Sequence, residues 1–158
     1  MVQELIKEKA DRRQHLNISF FEISILIFIL TVEFGHQNYF TVPLELGLAI
    51  PLFLSSIFAR TKLSYAKKPI MWDRFGFITF ILGYSFLISA IGIILTSITN
   101  SYLGMMFFAL NCLMAVSYSI FEVIEDKTKL SKRIFQDMTF IILIIIFGIL
   151  PSLGIWNL

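Results

Sequence analysis

All thirteen lysines and arginines of this 158-residue chain fall in three blocks, and long apolar runs fill the space between them. Lys7, Lys9, Arg12 and Arg13 form the first block. Arg60, Lys62, Lys67, Lys68 and Arg74 form the second, and Lys127, Lys129, Lys132 and Arg133 the third. Two apolar runs separate the first block from the second, two separate the second from the third, and one follows the third. Each pair of membrane crossings returns the chain to the same side. Five crossings therefore put every basic residue on one side, which the positive-inside rule identifies as the cytoplasm. Four or six crossings break that partition. The expected topology has the N-terminus in and the C-terminus out.

Composition supports a membrane chain. Hydrophobic residues make up 57% and charged residues only 15%, where a soluble domain carries roughly a quarter charged. Mean hydropathy is +0.81. No polar stretch is long enough for a separate soluble domain. Phe34-Gly35-His36 is not a small-x-small cleavage site, so the first run reads as a retained helix rather than a signal peptide. The single cysteine, Cys112, excludes an intrachain disulfide and a multi-cysteine metal site.

The fold class is all-α: a polytopic plasma-membrane protein built as a bundle of five transmembrane helices. The spans are expected at about 17–38, 43–60, 75–98, 102–125 and 138–156. Residues 1–16 read as a short amphipathic cytoplasmic helix, with Val2, Leu5, Ile6, Lys9, Arg13 and Leu16 at helical spacing. Residues 17–158 form the membrane domain. Pro43 suits the first turn of the second span, and Pro151 is expected to kink the fifth. Tyr65 and Trp72 fall at the inner interface, and Tyr39, Tyr102 and Trp156 at the outer one.

Ionisable residues inside the spans are the functional candidates, because they are expensive in a bilayer. Glu22 and Glu33 are eleven residues apart and nearly eclipse on a helix, with His36 close to the same line. This face is expected to point into the bundle or a subunit interface. The second span aligns Glu45, Ala49, Leu52, Ser56 and Ala59. The fourth aligns Asn111, Ala115, Tyr118, Glu122 and Glu125. In the third span Ser85, Ser89, Gly92 and Thr96 form a small, hydroxylated stripe expected to pack helices closely and hydrogen-bond across them. The fifth span is nearly featureless before Gly148, Pro151, Ser152 and Gly154, and is expected to face lipid or a partner.

Glu22, Glu33, His36, Glu45, Asn111, Tyr118 and Glu122 together suggest a path for a cation or proton. A plainer reading fits the same residues. Glu22 would reach the headgroups, Glu33 would bond His36, and Glu122, Glu125 and Asp126 would pair with Lys127 or Arg133. Glu33-x-x-His36 with Glu45 resembles part of a diiron ligand set, but it is under-liganded, and no metal or cofactor is expected. Ser85, Ser117 and Ser119 have no histidine at matching depth, and apolar burial makes Cys112 inert. Phosphate loops and HExxH are absent. Membrane topology accounts for the basic blocks, so no nucleic-acid partner is expected. The leading expectation is a channel- or transporter-type subunit moving a cation or proton as a homo-oligomer. The alternative is a non-conducting subunit docked on another membrane protein. An intramembrane enzyme ranks third.

Overall fold

No glycine or proline occurs between Val2 and Phe34, and helix α1 runs unbroken through these 33 residues. The short helix expected over 1–16 is thus the start of α1 and not a separate element. The computed structural model describes residues 2–34, 41–63, 65–66, 69–98, 101–125 and 130–154. It continues with α2 (Thr41–Leu63), α3 (Pro69–Ile98), α4 (Ser101–Glu125) and α5 (Leu130–Leu143). A π-helical stretch, Ile144–Ile149, and the short α6 (Leu150–Ser152) complete the fifth helical rod.

Five helices are long and apolar enough to cross a bilayer, the build of a multi-pass membrane protein. Their apolar segments are Gln14–Glu33, Thr41–Leu63, Pro69–Ile98, Tyr102–Ile124 and Arg133–Ser152. Successive helices run antiparallel. Asn17 meets Ser56 and Phe20 meets Phe53 across α1 and α2. Ser56 meets Gly76 and Arg60 meets Asp73 across α2 and α3. Glu122 meets Arg133 across α4 and α5. Arg60, Asp73 and Arg133 lie at one end of the bundle, its basic end.

Helix α3 is the hub. Its apolar segment is 56% buried, against 11% for those of α1 and α4. Lipid offers no hydrophobic drive for helix association, so close packing of small residues must supply it. A Cβ added at Gly76 would lie 2.9 Å from Ala59 Cβ, and one at Gly83 would lie 3.3 Å from Leu52 Cβ. These two glycines let α2 approach α3. Phe108 of α4, 1% exposed, plugs the contact between α3 and the fifth rod. A Cβ at Gly148 would come within 2.6 Å of its ring.

Two expectations are corrected here. The fifth rod is not the most lipid-facing element, because Gln136, Phe140, Ile144 and Gly148 form a buried stripe along it. That stripe begins before the apolar run, on a helix that starts at Leu130. Among the described residues the α3 stripe makes no hydroxyl bond across helices. Ser85 and Thr96 each donate at 2.8 Å to the carbonyl four residues earlier, Ile81 and Gly92 respectively. Their stripe packs by small size alone, with Ser85, Ser89 and Gly92 buried and Thr96 half-buried.

Prolines mark the irregularities. Pro151 cannot donate, and its ring would clash with the preceding turn. The chain widens into the π-helical stretch just before it, where Leu150 N–H reaches Ile145 O. The rod ends at Gly154, whose φ of +71° suits glycine. Pro51 lies inside α2 and is exposed, with Gly47 one turn earlier.

Candidate functional site

At the basic end a cavity of about 410 Å³ is lined by side chains from all five helical rods. Asn17 of α1 and Arg60 of α2 reach it, as do Tyr84 of α3, Tyr118 of α4 and Asp137 of α5. A second cavity of about 740 Å³ adjoins it and shares Phe77, Ile81, Arg133 and Gln136. Both volumes suit small-molecule sites, which run roughly 300–1,000 Å³.

The charges here are arranged in pairs. Arg60 is 4% exposed and bonds Asp73 through Nη1. Arg133 bonds Glu122 through Nη2, donates from Nη1 to Gln136 Oε1 at 3.1 Å, and stacks its guanidinium 5.3 Å from the Tyr118 ring centre. Arginine suits both places, since its planar fork can bond a carboxylate and stack on a ring together. Asp137 also lines the smaller cavity, half-buried, and makes no hydrogen bond or ion pair with another described residue.

Aromatic rings floor the cavity. Phe20 stacks on Phe53 at 6.0 Å and meets Tyr84 edge-on at 5.3 Å. Phe80 stacks on Tyr84 at 6.0 Å, and Tyr84 stacks on Phe140 at 5.8 Å. Beyond this layer lies Glu45, eight residues from Phe53 along α2, about 12 Å at the helical rise. Glu45 is 2% exposed, among Val42, Leu46 and Ala49 on the buried face of α2. Its Oε2 has no hydrogen-bond partner. Such a group carries a desolvation cost that a paired carboxylate avoids.

The remaining candidates separate. Glu22 and Glu33 are exposed on the outer face of α1, opposite Asn17, Phe20, Ser24 and Thr31. Of the two destinations expected for that face, the bundle interior is filled by these other residues. Phe20 packs on the aromatic layer and Asn17 bonds Ser56 at 2.7 Å. Asn111 is half-buried and donates to Phe107 O of its own helix at 2.9 Å. Tyr118 is 62% exposed yet lies at the cavity with Glu122 close by on α4. His36 lies outside the described residues, as do Tyr39, Asp126, Lys127 and Trp156. Among the described residues no group of three or more His, Cys, Asp or Glu could hold a metal ion.

The sequence reading missed Asp137, Gln136 and the burial of Arg60. Each continues a helical stripe past the apolar run that defined the span. Arg60 follows Ser56 and Ala59 on α2, and Arg133, Gln136 and Phe140 step by three and four on α5. Comparison with known proteins brings no match: no family model, no curated protein and no solved structure is similar to this chain.

Proposed function

We propose that this chain is a transporter-type subunit of the plasma membrane that moves a cation or proton and works as a homo-oligomer. Glu45 carries the reading. A carboxylate with one unbonded oxygen, held in an otherwise apolar helix contact, is a costly group where an apolar side chain of the same size would fill the space without that cost. It stands about 12 Å past an aromatic layer that closes the cavity at the basic end. Entry at the cavity, passage across the Phe20–Phe53–Phe80–Tyr84 layer and transient binding at Glu45 make a path through one protomer. Tyr118 and Glu122 belong to its mouth.

The basic end is cytoplasmic in this reading, because all thirteen Lys and Arg lie in the sequence at or beyond the ends of the apolar segments that meet there. The N-terminus is then inside and the C-terminus outside. Glu22 and Glu33 support the oligomer. Carboxylates on an outward helix face are costly against lipid, and a second copy covering α1 would shield them.

Flux into proteoliposomes tests the function. Purified protein is expected to pass K⁺, Na⁺ or H⁺ under an imposed voltage, and Glu45→Gln is expected to stop it. No flux of any of the three ions from the wild type would defeat the proposal.

A further inference from the structure

The pairing of charges at the cavity points to its ligand. Arg60 is neutralised by Asp73 and Arg133 by Glu122. Asp137 lies at the same cavity without a cationic partner among the described residues. Asp137 is thus the one charged group of the smaller cavity's wall not already engaged by an opposite charge among the described residues. The cavity walls are largely aromatic, with Phe77, Phe80, Tyr84 and Phe140 lining it. A ring presents its negative face to a cation and its carbon surface to an apolar body, which favours a cation on an aromatic or branched apolar frame over a hydrated metal ion. The volume of about 410 Å³ is drug-sized rather than ion-sized.

We propose that the cavity between the five helical rods binds a monovalent organic cation with an apolar body, its charge held at Asp137 and its body on Phe80, Tyr84 and Phe140. This names a substrate class for the transport proposed above, and only the translocation half rests on that reading. An anionic amphiphile is the competing ligand, since two arginines also reach the site. Both guanidinium groups are already engaged by carboxylates, so an anion would have to displace them.

Binding of tetraphenylphosphonium to the purified full chain in mild detergent separates these readings, with tetraphenylborate as a probe of the same shape and opposite charge. Saturable binding of the phosphonium and little of the borate is expected. Asp137→Asn should weaken phosphonium binding on the order of tenfold or more. Ala115→Phe, which fills the cavity without changing a charge, should abolish it and so serves if the asparagine variant does not fold. Equal binding of both probes, or unchanged binding by the folded variants, overturns the proposal. Phosphonium binding without flux of any cation defeats transport and leaves the site standing. Ion flux without phosphonium binding does the reverse.

Discussion

Asn17 and Ser56 are tied by a buried hydrogen bond of 2.7 Å, and Ser56 passes it on by donating to Gly76 O at 2.6 Å. One serine thus joins α1, α2 and α3 at the edge of the cavity. Ser56→Ala leaves the Asn17 amide without its acceptor in a dry contact. The expected cost is about 1–3 kcal/mol. Ser24 is equally buried but donates only to Phe20 O of its own helix. Ser24→Ala should therefore cost well under that. Unfolding in mixed micelles by SDS titration compares the two, and equal losses would mean the relay does not hold the helices together.

The glycines divide in the same way. Gly148 faces Phe108, and an added Cβ would sit 2.6 Å from Cε1 of that buried ring. Gly148→Ala should destabilise by about 1–3 kcal/mol through overpacking. Phe108→Leu in the same chain should recover part of the loss, because it withdraws the clashing atoms. Gly47 has nothing within 4 Å of its added Cβ. Gly47→Ala should be neutral or stabilising by up to about 1 kcal/mol, as expected for a helical glycine. Thermal denaturation of the three variants reads the order directly.

The two ion pairs should behave as coupled units. Arg133 and Glu122 are 20% and 17% exposed, and removing one leaves the other partly desolvated. Single changes, Arg133→Gln or Glu122→Gln, should each destabilise more than the double change implies, with a coupling of about 0.5–3 kcal/mol. A double-mutant cycle measures this. Additive losses would show that the pair is too solvated to matter.

Stripes at three- and four-residue spacing made the membrane fold readable from sequence. Glu45, Ala49, Ser56 and Ala59 align on α2 by spacing alone and are all buried. The direction of the α1 stripe was not readable in this way. Glu22 and Glu33 share a face, but so do Asn17, Phe20, Ser24 and Thr31, and period alone does not say which turns inward. Packing decides: Phe20 has Phe53, Phe80 and Tyr84 to meet. The cavity was hidden for a different reason. Hydropathy ends a span at its first charges, yet Arg60, Arg133 and Asp137 lie on helices that continue past that boundary, where paired charges and long stems are tolerated.

Glu45 offers a separation of stability from function. Its unbonded oxygen is a standing cost, so a near-isosteric apolar residue should be tolerated or better. Glu45→Met is expected to raise stability by about 1–2 kcal/mol. The same variant should lose the proposed ion flux. A destabilised and still active Glu45→Met would mean that the carboxylate is structural, with a stabilising partner and no part in transport.

The outer face of α1 leads to a prediction about assembly. Leu26 is 58% exposed on the same side as Glu22, one turn further along. If a second copy covers this face, Leu26→Trp inserts bulk into that contact and should lower the molecular mass of the detergent-solubilised particle. Leu113 of α4 is 61% exposed on a different helix, and Leu113→Trp should leave the mass unchanged. Light scattering coupled to size-exclusion chromatography supplies both values. A wild-type monomer, or equal effects from the two tryptophans, would remove α1 as the contact and leave Glu22 and Glu33 facing lipid.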